Sequence, residues 1–202
     1  MVVADGPSAP QAAALDAIDP SGSPEVVWTS ERLGQAAALD IGFRRASGPV
    51  VIVVDSSVEP TGDLVTPLVL ALDDPTVAVT GGWGIVSADL RTFSDAPPGD
   101  VDAIEGYAMA FRRSDAATRG PLDERFRFYR NLDIWWSLVL RDEGEGRVPR
   151  RAVAVADLPA VRHEHRGWSS LDEAERARQS KRNFYRILDR FGSRRDLLTG
   201  RG

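Results

Sequence analysis

Short apolar runs alternate with longer amphipathic segments along this chain of 202 residues. The runs VVADG, EVVWTS, PVVIVVDSS and TVAVTGGWGIV end in small or acidic residues, as strands do where they enter turns. Helix-length segments such as PQAAALDAI and ERLGQAAALDIGFRRASG lie between them. This alternation predicts an α/β fold in which helices flank a mostly parallel sheet.

Several element boundaries can be predicted from the same pattern. The run at residues 49–54 is continuously apolar, which is typical of a parallel strand buried on both faces. The helix before it should bury Leu33, Ala37 and Ile41 and end at Gly48. A helix is predicted over GDLVTPLVLALDDP despite Pro67, a strand from Glu105 to Arg112 and a helix from about Leu132.

The last part of the chain predicts a loop followed by a final helix. The loop is the segment LPAVRHEHRGW. Ser170, followed three residues later by Glu173, has the spacing of a capping box and predicts the start of the helix.

Composition narrows the classes of protein to which this chain could belong. With 43% hydrophobic residues, the chain is long enough for one well-buried domain over residues 1–202. A net charge of -5, with arginines dispersed among acids, excludes a general nucleic-acid binder. The absence of cysteine excludes disulfides, thiolate zinc sites and a thiol nucleophile. No signal peptide and no bilayer-length apolar run is recognisable, so a cytoplasmic protein is expected.

Asp55 is the first candidate site residue, because ligands of open α/β sheets bind beyond the carboxyl ends of the strands. The alternative is an aspartate that only forms the turn in DSSVEP.

Asp133, with Asp123 and Glu124, is the second candidate. A carboxylate among the aromatic residues of this segment is suited to general-base catalysis. The alternative is a helix start that favours acids, with Trp135 and Trp136 simply in the core.

The remaining candidates are histidines, arginines and one more tryptophan. His163 and His165 lie on one side of an extended segment, where they could meet a metal or a phosphate, and the alternative is a solvated loop. Arg112, Arg162 and Arg166 carry planar guanidinium groups suited to diphosphates. Most arginines of the chain are expected on solvated faces, and position alone favours a functional role only for those near the histidines, Arg162 and Arg166. Trp83, beside Gly81 and Gly82, could stack on a sugar ring, or it could belong to the core.

Taken in order, these segments resemble the GT-A domain of family 2 glycosyltransferases, inverting enzymes that use nucleotide sugars. The matching segments are VVADGPS, LGQAAALDIGFRRASG, VVIVVDSS, EGYAMAFRR, LDERFRFYRNLDIWW and RHEHRGW followed by SKRNFYR. The resemblance covers nearly the whole chain. It implies a nucleotide-sugar donor and a glycan or small-molecule acceptor.

The resemblance also implies roles for individual residues. Asp133 matches the catalytic base, with Asp123 and Glu124 in the preceding acidic turn. The implied donor-binding residues are Asp5, Asp55, Ser57, Arg112, His163, His165 and Arg166. The implied acceptor- or sugar-binding residues are Trp83, Glu105, Trp135 and Trp136. A divalent Mn or Mg ion would be held by Asp55 and His163.

Two departures from the family pattern keep a second class open. Ser57 stands where the second metal-binding carboxylate is expected, so metal dependence is doubtful. The usual first βα unit has no counterpart before Met1, and a homodimer or a partner protein could cover the edge thus exposed. The alternative to a transferase is a non-catalytic GT-A-like domain that binds a nucleotide, a glycan or a protein partner.

Overall fold

The computed structural model describes residues 1–18, 24–164 and 172–200. The chain forms two compact units, Met1–Ser47 with Pro121–Tyr129 and Gly48–Gly120 with Arg130–Gly202. The single domain expected from chain length stays a prediction.

The first unit has the order βαβα. Strands β1 (Val2–Ala4) and β2 (Val26–Trp28) pair in parallel, with helix α1 (Ala9–Asp16) between them and helix α2 (Gln35–Arg45) after them. These elements lie where the hydrophobic pattern predicts them.

Helix α2 differs from the prediction in its end and in its buried face. It ends at Arg45 because Ala46 turns into an extended conformation, so Gly48 does not close it. Its buried residues are Ala36 and Asp40, not the predicted stripe. A carboxyl group therefore lies in the interior of this unit.

The segment Pro121–Tyr129 caps the start of α2. The backbone N–H groups of Gln35 and Ala36 donate to the carbonyl oxygens of Arg127 and Phe126, at 3.0 and 3.1 Å. Gly34, just before the helix, has a φ of +106°, and a Cβ there would lie 2.8 Å from the Cα of Arg127. Glycine is therefore required for this close approach.

The second unit contains ten described strands and four described helices. The strands are β3 (Val50–Val54), β4 (Val58–Pro60), β5 (Val77–Gly81), β6 (Gly84–Val86), β7 (Ser94–Ala96), β8 (Gly99–Val101), β9 (Ala103–Ile104), β10 (Ala108–Arg112), β11 (Arg151–Ala154) and β12 (Ala160–Arg162). The helices are α3 (Val65–Ala71), α4 (Arg113–Arg119), α5 (Leu132–Arg141) and α6 (Glu173–Phe191), and a 3₁₀ turn follows at Arg195–Leu197.

Five strands form the main sheet in the order β3-β10-β5-β11-β8. Strands β3, β5 and β11 run in one direction, whereas β10 and β8 run in the other. The α/β class is thus confirmed, but the sheet is mixed, because β10 inserts antiparallel between β3 and β5. Strand β3 lies at the end of this order, and only Val51 of its residues is buried. The prediction that β3 is buried on both faces was therefore wrong.

Helices cover the two faces of the main sheet. Helix α3 packs on one face, where Leu68 and Leu72 meet Ala110 of β10. The next residue, Phe111, points to the opposite face and packs edge-on against Trp136 of α5, with ring centroids 5.8 Å apart. Pro67 is tolerated in α3 because it lies in the first turn, where a backbone N–H has no helical acceptor.

Two buried polar side chains fix α5 along the sheet. The Ser137 hydroxyl accepts the Ile104 N–H at 3.1 Å. The Arg141 guanidinium donates to the carbonyl oxygens of Asp102 and Arg150, at 2.6 and 2.9 Å. Burial lowers the pKa of Arg141 to about 10, and the nearby Asp102 carboxylate opposes this change. These contacts hold the middle and the end of α5.

The last part of the chain contains a strand where the sequence predicts a loop. Within the predicted loop, β12 pairs antiparallel with β4, with Arg162 opposite Val58. Helix α6 begins after Asp172, whose carboxylate accepts the Glu175 N–H at 2.8 Å. The predicted cap Ser170 lies outside the described residues. Of the helices described, none combines the length and the apolar character needed to cross a membrane.

Candidate active site

Asp55 follows β3 directly and builds the turn into β4. Its backbone N–H donates to the Tyr107 carbonyl at 2.9 Å. Its Oδ1 accepts both the N–H and the hydroxyl of Ser57, at 2.8 and 2.5 Å. The half-buried carboxylate therefore forms the turn and also lies at the end of a strand, so the two interpretations of Asp55 are compatible. The Ser57 hydroxyl is buried against Asp55.

Asp133 lies in the first turn of α5, as expected from the sequence. Its Oδ2 accepts the Gly106 N–H at 2.9 Å, and its Oδ1 accepts the Ile134 N–H at 2.9 Å. A Cβ on Gly106 would lie 3.3 Å from the Asp133 Cβ, so a glycine lets the two chains approach. Burial raises the pKa of Asp133, although the backbone hydrogen bonds and Arg130 oppose the rise. A carboxylate with a raised pKa is a stronger base than one in water.

The turn before Asp133 is held by the final helix. Asn131 has a φ of +68°, a left-handed conformation that asparagine tolerates better than most residues. Its Nδ2 donates to the Ser180 carbonyl of α6 at 3.0 Å. From α6, the Asn183 Nδ2 donates to the Arg130 carbonyl at 2.9 Å. Two amide side chains thus brace the turn that directs Asp133.

Arg162, Glu105, Trp83 and Tyr107 form a second group. The Arg162 Nη1 donates to Glu105 Oε2 at 2.6 Å, and its Nη2 reaches Asp95 Oδ2 at 3.4 Å. The guanidinium carbon lies 5.8 Å from the Trp83 ring centroid and 5.4 Å from that of Tyr107. The two rings meet edge to face at 5.6 Å. The group therefore combines the half-buried side chains of Trp83, Tyr107 and Glu105 with the exposed guanidinium of Arg162.

Electrostatics tie these residues to Asp55 and Asp133. Burial raises the pKa of the Tyr107 hydroxyl, and the charges of Glu105, Asp55 and Asp133 raise it further, whereas Arg162 opposes them. The pKa of the Tyr107 hydroxyl is therefore raised by three carboxylates from different parts of the chain. The structure brings together four residues that the sequence predicted for the site, namely Asp55, Glu105, Asp133 and Trp83.

His163 extends β12 next to Asp55. Its backbone N–H donates to the Ser57 carbonyl at 2.8 Å, and its Nε2 lies 3.0 Å from Glu59 Oε2. Within the described residues, no three His, Asp or Glu side chains are arranged to hold a metal ion. The expected ligands Asp55 and His163 hydrogen-bond Ser57 and Glu59, and a divalent ion held by them stays a prediction. His165 and Arg166 lie outside the described residues.

Asp5 organises the first unit. Its Oδ1 accepts the Leu33 N–H at 2.8 Å, and its Oδ2 accepts the Gly34 N–H at 3.0 Å. The Thr29 hydroxyl donates to Oδ1 at 3.2 Å. Asp5 therefore fixes the turn that leads into α2, and its predicted contact with a nucleotide base stays a prediction.

Asp123 and Glu124 also belong to the first unit. Asp123 forms an ion pair with Arg125, with Nη2 and Oδ2 2.6 Å apart, and Glu124 is exposed. Their predicted part in catalysis stays a prediction.

Three predicted site residues have structural roles instead. Trp135 and Trp136 are 6% and 4% exposed, so the prediction that they contact a sugar was wrong. Trp135 packs against Phe191 of α6, and Trp136 against Phe111. Arg112 pairs with Val50 at the opposite end of β3 from Asp55, and its guanidinium donates to the carbonyls of Leu72, Asp74 and Val77. It thus lies away from the site and caps the end of α3.

Sequence reasoning missed Tyr107 and Gly106, and it singled out Arg162 only as a guanidinium group near the histidines. Arg162 stood in a segment predicted to be a loop, and no periodicity marks a three-residue strand. Gly106 carried a signal, because a glycine inside a predicted strand indicates a close approach of the backbone to another group.

The model of glycosyl transferase family 2 matches residues 1–131. No curated protein matches the chain.

Two solved structures share the fold. GalNAc-T7, solved with UDP, GalNAc and Mn²⁺, is 16% identical, with a TM-score of 0.66 over 84% of this chain and 38% of that protein. The mannosyltransferase PcManGT from Pyrobaculum calidifontis, in complex with GDP-Man and Mn²⁺, is 18% identical, with a TM-score of 0.65 over 97% of this chain and 58% of that protein. The chain thus spans less than two thirds of either structure, and these likenesses show the GT-A fold. Because the family model covers 131 of the 202 residues, the chain belongs to glycosyl transferase family 2.

Proposed function

We propose that the protein transfers a sugar from a nucleotide-sugar donor to an acceptor hydroxyl with inversion at the anomeric carbon. The observation that carries this proposal is Asp133, a half-buried carboxylate held by the Gly106 N–H and made more basic by burial. Family membership supports the reaction class, and the UDP and GDP-Man bound to the two relatives support the class of donor.

In the proposed reaction Asp133 is the general base. It takes the proton of the acceptor hydroxyl while the hydroxyl oxygen forms a bond to the anomeric carbon. The bond from that carbon to the diphosphate oxygen breaks, and the nucleoside diphosphate leaves with the electron pair. A single displacement of this kind inverts the anomeric configuration. Asp133 ends the step protonated, a form that its raised pKa favours.

Other residues of the site have supporting roles in the proposal. Trp83 and Glu105 offer an aromatic face and a carboxylate, which suit the carbon–hydrogen face and the hydroxyl groups of a sugar. Asp55 and His163 border the proposed donor site. The proposed step uses only the chain's own residues, and no part of it passes through a divalent ion.

The first experiment identifies the donor. Thermal unfolding of the protein is followed with UDP-, GDP- and dTDP-sugars, each with manganese and with EDTA. A ligand at a hundredfold excess over its dissociation constant stabilises the native state by about 2.7 kcal/mol, which shifts the melting temperature visibly. A flat panel would contradict nucleotide-sugar binding and favour a domain without a donor site.

The second experiment tests the base. With the donor so identified, we expect Asp133→Asn to retain donor affinity and to lose about 10²–10⁴-fold in turnover, the usual contribution of a general base. Release of the nucleoside diphosphate measures turnover. Asp189→Asn makes the same chemical change at an exposed carboxylate of α6 and should leave turnover unchanged. Equal turnover in wild type and Asp133→Asn would remove Asp133 from the role.

A further inference from the structure

Glu105 and Asp133 are joined through one short stretch of backbone. The Gly106 N–H binds Asp133, and Glu105 is the residue before Gly106. The Glu105 N–H in turn donates to the Trp83 carbonyl at 2.9 Å. The backbone of Glu105 is therefore fixed on both sides, next to the residue that binds the proposed base.

Arg162 determines the charge and direction of Glu105. Its guanidinium binds the Glu105 carboxylate at 2.6 Å and lies against the rings of Trp83 and Tyr107. Burial raises the pKa of Glu105, which alone would favour its neutral form, and Arg162 is the strongest influence in the opposite direction. The aromatic rings restrict the long arginine side chain, so its charge stays at one place.

The two carboxyl groups also interact with each other. The charge of Asp95 raises the pKa of Glu105, and the charge of Asp133 raises it further, by less. Coupling between two titrating groups is reciprocal, so an ionised Glu105 must make Asp133 harder to ionise by the same free energy. The charged groups around the pair are Arg130 before α5, Asp55 after β3, Asp95 on β7 and Arg162 on β12.

We propose that Arg162 and Glu105 are positioning residues for Asp133: Arg162 keeps Glu105 ionised and fixed, and the charge of Glu105 strengthens Asp133 as a base. This rests on the proposed function of Asp133. The pair explains why a charged arginine is placed over two aromatic rings at the end of a three-residue strand.

The test follows the carboxyl carbons of Glu105 and Asp133 by NMR across a pH titration of the whole protein. In Glu105→Gln the Asp133 titration should move to lower pH, because a neighbouring negative charge is removed. In Asp133→Asn the Glu105 titration should move to lower pH by the same amount, as reciprocity requires. In Arg162→Gln the Glu105 titration should move to higher pH, because its cation is lost.

Two further variants serve as controls. Arg162→Lys keeps a positive charge without the planar fork, so the Glu105 titration should fall between those of wild type and Arg162→Gln. Asp95→Asn removes the other partner of Arg162, which is 77% exposed. The Glu105 titration should then move to lower pH, because a neighbouring negative charge is lost, whereas the Asp133 titration should move least. An unmoved Asp133 titration in Glu105→Gln, or an unmoved Glu105 titration in Arg162→Gln, would overturn the proposal. Lower stability with unchanged titrations would mean that the residues only support the structure.

Activity supplies a second readout. For the donor found by thermal unfolding, the acidic limb of the kcat/KM profile should move to lower pH in Glu105→Gln, together with a fall in plateau rate of about tenfold or less. The titrations do not depend on turnover. Shifted titrations in a protein without turnover would therefore refute the proposed function alone, whereas turnover with unshifted titrations would refute the pairing alone.

Discussion

Asp40 allows the most specific stability prediction, because one oxygen of its buried carboxyl group accepts a hydrogen bond and the other has no partner among the described residues. Asp40 is 3% exposed, and its Oδ1 accepts the Leu122 N–H at 3.0 Å. Its Oδ2 is buried without a hydrogen-bond partner among the described residues. Burial raises the pKa of Asp40 and Glu124 adds to the rise, while the Leu122 N–H and Arg44 oppose it.

The sign of the pH dependence follows from this raised pKa. The folded protein holds the Asp40 proton more tightly than the unfolded chain does, so the contribution of Asp40 to stability is complete below the unfolded pKa of 3.8. It is lost as pH rises through the folded pKa. An asparagine cannot ionise, so Asp40→Asn should remove this loss while keeping the acceptor for Leu122.

The magnitude is set by the unpartnered oxygen. Burying a polar group without a hydrogen bond costs about 1–3 kcal/mol, and more if it is charged. We therefore expect the unfolding free energy of Asp40→Asn, minus that of wild type, to increase by about 1–3 kcal/mol between acid and pH 8. Any cost of the new amide N–H groups is the same at every pH and cancels from this change.

Denaturant unfolding from pH 3 to 8 measures the difference directly. Exchange of the Leu122 amide hydrogen gives a local readout of the same contact. Asp16→Asn, at an exposed position of α1, is the matched control and should show a much smaller pH-dependent difference. A constant difference between Asp40→Asn and wild type, or one that shrinks as pH rises, would refute the reasoning.

The remaining predictions concern backbone positions and are measured by denaturant unfolding. Gly81→Ala should destabilise by about 1–3 kcal/mol or more, because the new Cβ would lie 2.2 Å from Ile104 and 2.3 Å from the Ala108 carbonyl oxygen; unchanged stability would contradict these distances. Gly42→Ala, inside α2, should stabilise by about 0.5–1 kcal/mol, since its Cβ would meet only Val3 at 3.7 Å. Asn131→Ala should be less stable than Asn131→Gly by about 1 kcal/mol, the cost of a left-handed alanine, and equal stabilities would argue against the positive φ.

Much of the fold is predictable because its signals are local. Strand β3, helix α5 and the glycine turn after β5 follow from short windows of sequence, and Asp55 and Asp133 take their positions from the ends of those elements. The insertion of β10 between β3 and β5 is not local, since the paired residues are 28 to 32 positions apart for β5 and 54 to 62 positions apart for β3. Residues 108–111 form an apolar run, and such a run is typical of a buried central strand whether it is parallel or antiparallel to its neighbours. The sequence pattern therefore does not reveal the direction of β10.

Among the residues around Asp133, too, some roles follow from the local sequence and others depend on contacts that are distant in the chain. The acidic and aromatic residues of the segment 120–144 indicated both a functional site and a hydrophobic core. The helical period alone does not tell which residues face the core, because that depends on which face of α5 packs against its neighbours. Trp135 and Trp136 proved to face Phe191 and Phe111, so they are core. Arg162 could not be identified from its own segment, because its role depends on Trp83, Glu105 and Tyr107, which are 55 or more residues away in the chain.

The bracing of the Asp133 turn by α6 has a consequence for protein synthesis. The two bracing hydrogen bonds join residues 49 and 53 positions apart in the chain. A nascent chain that has reached only Arg141 can pair β3, β5 and β10 and carry Asp133, yet it lacks both contacts that fix the turn. The base would therefore be oriented only after Ser180 and Asn183 have left the ribosome, so that the geometry of the proposed base is completed among the last steps of folding.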